Sequence, residues 1–288
     1  MFRHFRNYLP RSQVWLEQRD HFHPNRIAEK VGEFSPTGLG AHCCSRATRL
    51  DSKKCGSSQS QNPTGEQSKV TANNRIPLID RCYLSFLDDE DAAAFIRKVS
   101  HYYLPATLQR LAGYGQRLSR RGAVLALGFL GDYNANPVLG RALHDSDRAV
   151  RVLAENAIRE VWCRDGTEHQ RQQLAILIRL NDGFQFEESL ELASLLIQQA
   201  PRFAEAWNQR AIAHYRLGQF EAAANDCQQT IELNPYHFGS IVGMAHCYLE
   251  MGEGFAALDC FRRSVEVNPS LEAVRGQIEF LERALDGI

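Results

Sequence analysis

The residue types able to hold a metal or open a covalent route gather early in the chain. His21, His23, His42, Cys43, Cys44 and Cys55 combine imidazole and thiol ligands. They lack the paired C-x2-C spacing that closes a structural zinc site. Asp88, Asp89, Glu90 and Asp91 form a run of acids that could attract a hard cation. At the start of a helical pattern, however, the free N–H groups of the first turn account for them. The glycines at 113, 115, 128 and 131 punctuate helical text and open no G-x-x-x-x-G-K-[ST] phosphate loop. No G-x-S-x-G elbow occurs, and no Cys-His pair stands out from the scatter. No catalytic residue, metal or cofactor is expected. The chemistry left to the chain is recognition.

Recognition needs a scaffold, and the scaffold is written in prolines. Pro201, Pro235 and Pro269 recur at intervals of 34 residues. The two clearest units read AEAWNQRAIAHYRLGQFEAAANDCQQTIELNP (204–235) and FGSIVGMAHCYLEMGEGFAALDCFRRSVEVNP (238–269). Small residues, Ala211 with Ala223 and Ala245 with Ala257, sit where two antiparallel helices cross closely. Trp207, Phe220 and Ile231, then Met244, Tyr248, Phe255 and Phe261, fill the space beside them. Gly218 and Gly252 suit a left-handed cap at the end of the first helix. The Asn-Pro pairs close the second, because proline disfavours helical geometry at the residue before it. Residues 170–201 are a weaker copy in which Gly183 arrives one residue early and Phe184 takes the glycine place, so a distorted turn is expected there.

This pattern resembles the tetratricopeptide repeat (TPR) family. The resemblance implies three helical hairpins over 167–269, stacked as a right-handed solenoid with the first helix of each hairpin lining a concave groove. Carried onto this sequence, it sets Arg171, Leu174, Ile178 and Asn181 in the groove from the first unit. The second contributes Glu205, Asn208, Ile212 and Tyr215, and the third Gly239, Val242, His246 and Leu249. Arg171, Glu205, Asn208, Tyr215 and His246 are the candidate partner-binding residues. Asn208 would hold a peptide amide, Tyr215 would offer a broad amphipathic face, and His246 would add pH dependence near neutrality. The lysine–asparagine–arginine set by which some TPR domains clamp a C-terminal carboxylate is missing.

A second repeat precedes this array. Arg120, Ala123, Ala126 and Leu127 recur 31 residues later as Arg151, Ala154, Ala157 and Ile158. The text resembles the short HEAT-like repeats of the phycobilisome-lyase type. That implies helix pairs over 76–166, with Asp145 and Asp147 as partners of Arg151. Asp147 also reads as the N-cap of a helix ending at Trp162, and Thr167 with Gln170 as a capping box. After Pro269, the stripe Leu271, Val274, Ile278, Leu281 and Leu285 predicts a polar-backed capping helix over 270–288. The fold expected is all-α, a HEAT-like array followed by three TPR units.

Residues 1–75 read differently. They hold 12 Lys/Arg against 6 Asp/Glu, a surplus that the rest of the chain reverses to leave a net charge of −1. Ser-, Gly- and Gln-rich text such as 55–74 predicts a disordered basic tail, or sequence upstream of the mature start. A cationic arm for nucleic acid or lipid is the alternative, though neither nucleic acid nor membrane is the expected partner. Eight cysteines without a framework spacing point to a reducing, cytoplasmic setting. The function these observations predict is a non-catalytic adaptor that binds a protein or peptide partner of unspecified identity. The alternative is an enzyme accessory or lyase-like protein cradling a prosthetic group between the arrays.

Overall fold

Helical periodicity gives an all-helical fold among the described residues. The computed structural model describes residues 76–285 and contains thirteen α-helices and one short 3-10 turn among them. The expected tail, with His21, His23, His42, Cys43, Cys44 and Cys55, lies outside the described residues.

The N-terminal array comprises α1 (Leu78–Asp89), α2 (Ala92–Tyr102), α3 (Pro105–Tyr114), α4 (Arg117–Leu130), α5 (Asn136–Ala142) and α6 (Arg148–Trp162). Its starts follow local chemistry. Asp91 caps α2 by accepting from Ala94 N–H at 2.9 Å, Pro105 opens α3 where its missing N–H costs nothing, and Asp147 caps α6 by accepting from Ala149 N–H at 3.0 Å. One apolar core joins Ile79, Tyr83 and Phe86 of α1, Phe95 and Val99 of α2, Ala123–Leu127 of α4, and Val150, Leu153 and Ile158 of α6.

The two recurring arginines each bond a carbonyl just upstream: Arg120 reaches Gly115 O at 3.1 Å, and Arg151 reaches Asp145 O at 2.9 Å. The expectation that the Asp145 and Asp147 carboxylates serve Arg151 is corrected. Arg120 takes Asp145 in a two-point bond at 2.7 and 2.8 Å, and Arg121 takes Asp147 at 2.7 and 2.9 Å. Planar guanidinium and carboxylate match best in this two-point geometry, so the carboxylates are already committed to α4. Burial raises both carboxyls, but the arginine bonds outweigh it and hold them below their ordinary value.

The second array follows the 34-residue text: α7 (Glu168–Asp182), α8 (Phe186–Gln199), α9 (Ala204–Arg216), α10 (Phe220–Leu233), α11 (Phe238–Met251) and α12 (Gly254–Val267), then α13 (Glu272–Leu285). The Thr167–Gln170 capping box forms, with bonds of 2.8 and 3.3 Å. Ala211, Ala223, Ala245 and Ala257 are fully buried at the helix crossings. The turns at the three equivalent positions are left-handed, Phe184 at φ 61°, Gly218 at 77° and Gly252 at 84°. The first unit therefore keeps the same turn with the wrong residue in it. Val274, Leu281 and Leu285 of α13 bury against the last unit, as the stripe predicts. Trp207 packs against the Leu174–Leu196 cluster, but only half-buried, with Nε1 donating to Pro201 O at 2.9 Å.

Candidate functional site

The first helices of the three units, α7, α9 and α11, contact one another from unit to unit more extensively than the second helices do. The first helices thus form the inner, tighter layer of the curve. Their equivalent positions fall in rows of three at intervals of 34: 171/205/239, 174/208/242, 178/212/246 and 181/215/249.

The first two rows are closed to solvent in part. Glu205 is only 5% exposed and Asn208 only 1%, and every polar atom of their side chains has a partner inside the protein. Glu205 Oε1 accepts from Asn208 Nδ2 at 2.9 Å and Gln209 Nε2 at 2.8 Å. Its Oε2 faces His237 Nε2 at 3.1 Å. Ser240 N–H donates to His237 Nδ1 at 3.0 Å, so the proton of the ring sits on Nε2 and is given to Glu205. Asn208 Oδ1 accepts from Ser240 Oγ at 2.8 Å. On the other side, Gln209 Oε1 accepts from Asn181 Nδ2 at 2.9 Å, and Asn181 Oδ1 from Ser189 Oγ at 2.7 Å. Burial pushes the Glu205 carboxyl up, but the bonds from His237, Gln209 and Asn208 outweigh it and keep it below the ordinary range.

The reading of Asn208 and Glu205 as residues offered freely to a groove is therefore corrected. Their polar atoms are already used to tie α7, α8, α9 and α11 together. His246 is corrected too. It is 9% exposed with its ring edge on Phe261 at 5.3 Å, Nε2 has no partner, and burial lowers its pKa to about 4, too low to titrate near neutrality. Arg171 is partly exposed, but it is tied at 2.7 Å to both Gly166 O and Glu168. Tyr215 is half-buried, edge-on to Phe220 at 5.5 Å. The half-exposed remainder of the rows is Ile178, Ile212, Tyr215 and Leu249, a short, mainly apolar strip at the C-terminal ends of the inner helices.

Sequence reasoning missed what closes the other end. Trp162 of α6 stacks on His237 at 4.0 Å and 25°. Its Nε1 donates to Asn136 Oδ1 at 2.9 Å, and Asn136 Nδ2 donates to Asn234 Oδ1 at 2.8 Å. Arg159 lies 4.5 Å over Phe238, which belongs to the N-terminal core. A signal existed: position 237 holds histidine where the other units have Phe203 and Leu271.

Other chemistry is sparse. Among the described residues, no group of three or more His, Cys, Asp or Glu is arranged to hold a metal ion, and no helix is long and apolar enough to cross a membrane. A notch between α1 and α2, lined by Cys82, Ser85, Asp89 and Lys98 among others, has room for about one water molecule, far short of a ligand site.

The tetratricopeptide repeat family profile matches residues 204–237, the middle of the three units. A "TPR repeat-containing protein" of Rhizobium etli is 26% identical over 143 residues, 50% of this chain and 69% of that one. Sperm-associated antigen 1 of Rattus norvegicus is 27% identical over 82 residues, 28% of this chain and 9% of that one, so this chain spans about a tenth of its length. Among solved structures, the first TPR of Spaghetti (RPAP3) bound to an HSP90 peptide is similar at 18% identity, over 40% of this chain and 94% of that one, with a TM-score of 0.38. A thermophilic TPR protein of Thermus thermophilus is similar at 18% identity, over 71% and 95%, with a TM-score of 0.32.

Proposed function

We propose that the chain is a non-catalytic adaptor that takes a peptide or helix of a partner protein along the inner face of its TPR array. The observation that carries this reading is the row of Ile178, Ile212, Tyr215 and Leu249, half-exposed on three consecutive inner helices. A side chain with a wide apolar face and a hydroxyl at its tip, such as Tyr215, commonly anchors an interface. Arg171 is committed to Gly166 O and Glu168 and so is not offered to an acidic C-terminus. An apolar internal segment fits this face. The N-terminal array acts in this scheme as a HEAT-like rigid extension, a reading supported by the matching arginine-to-carbonyl bonds of Arg120 and Arg151. Cys82, Cys163, Cys227, Cys247 and Cys260 form no disulfide among the described residues, which fits a reducing, cytoplasmic setting.

Photo-crosslinking tests the assignment. A photoreactive side chain at Ile212 or Tyr215 should capture one discrete partner from a lysate, and the same group at exposed Asn225 of α10 should not. Equal labelling at both places would place the working surface elsewhere.

A further inference from the structure

The two arrays meet through a seam unlike the packing inside either one. Trp162, Asn136 and Asn234 form its hydrogen-bonded line, and Trp162 covers the His237 ring that in turn holds Glu205. Tyr236 lies so close to Gly140 that a β-carbon there would overlap its ring. His144 Nε2 pairs with Glu266 O at 2.8 Å. These contacts join the end of α6 and the short α5 to the turn before α11, with Phe238 that opens it, and to the end of α12 with the turn that follows. None of the helix pairs that pack along their lengths crosses the seam. The covalent link is equally slight. Between α6 and α7 the chain turns through exposed Gly166 at φ 74°, a conformation that glycine adopts freely.

We propose that this seam is a cis latch: the Trp162 end of the N-terminal array sits on the polar end of the groove, at His237, Glu205 and Asn208, and swings off about Gly166 while both arrays stay folded. Opening uncovers His237 and Phe238 at the end of the inner helices opposite the apolar strip of Ile212 and Tyr215, adding a second exposed patch on the same array. The inference rests on the groove reading for what opening exposes, and not for the opening itself. Phe238 is buried in the N-terminal core and Tyr236, Val267 and Leu271 pack on it, so opening also draws these side chains off that core; contacts between parts of one chain commonly separate below the cost of global unfolding.

Native-state hydrogen exchange on the full chain tests it. The Ser240 N–H, which donates to His237, and the Tyr236 N–H, which donates to Asn234 at 3.2 Å, report the seam. Amides of α4 and α10 report the two cores. The latch predicts that the seam amides exchange through an opening with a much smaller denaturant dependence than the core amides. In His144→Ala, which removes the bond to Glu266 O across the seam, the seam amides should exchange about 2- to 10-fold faster, the worth of one hydrogen bond. The α4 and α10 amides should not change. Seam amides that exchange only with global unfolding, or core amides that accelerate equally in the variant, overturn the latch. A groove that binds nothing would fail the crosslinking test and leave this exchange result untouched.

Discussion

Replacing His246 with leucine should remove a pH dependence that the wild-type array carries. In the folded chain the ring is enclosed beside Phe261 with Nε2 unpaired, and its pKa falls from 6.5 to about 4. The unfolded chain therefore takes up the proton as the pH drops through the ordinary histidine range, while the folded chain still refuses it. Stability is lost progressively from near neutrality downward and levels off below the folded pKa. With these two values the loss attributable to His246 between about pH 7.5 and pH 4.5 is about 2.5 kcal/mol. The measurement is urea unfolding of wild type and His246→Leu across that range, read as the difference between the two. The depressed Glu205 carboxyl acts at lower pH and in both proteins, so it drops out of the difference. A difference that stays flat from neutral to acid would show that the ring is solvated or paired in solution, and the packing described for α11 would be wrong.

Three other outcomes follow from single contacts. Phe184→Gly should raise stability by about 1 kcal/mol in thermal unfolding, because a left-handed non-glycine residue, here 61% exposed, is strained by about that much. A loss would mean that the contacts of the ring with Phe186 and Arg216 outweigh the strain. Trp207→Ala should cost about 2–3 kcal/mol, less than a fully buried aromatic, since the ring is only half-covered. Mass-spectrometric labelling should find Cys227, fully buried and with a thiol held protonated by its contact with Cys247 and by burial, at least about a hundredfold slower than half-buried Cys163.

The repeat scaffold was legible because each unit repeats the same local demands. Alanine at the crossings, glycine at the turn and Asn-Pro at the close each name their own geometry, whereas the early Gly183 suggested a distorted turn and the turn instead keeps its left-handed form with Phe184 in it. The groove was less legible. Periodicity assigns Asn208 and Glu205 to a face, but whether that face meets water depends on what else packs there. Here Trp162 and His237 do, from positions 75 residues apart. The Asp145 and Asp147 partners failed for the same reason. Nearness in sequence favoured Arg151, and the two-point geometry was available only to arginines on another helix.

The seam also changes how the chain must come apart. A stack of repeats touching only its neighbours behaves as a line, free to melt unit by unit from either end. The Asn136–Asn234 and His144–Glu266 bonds link residues 98 and 122 positions apart and bend that line into a closed circuit. The unit at 167–201 then lies inside the circuit and cannot fray first. Closing so long a loop is slow compared with forming adjacent hairpins, so the seam should be the last contact made in folding. Cutting it should turn one cooperative transition into two.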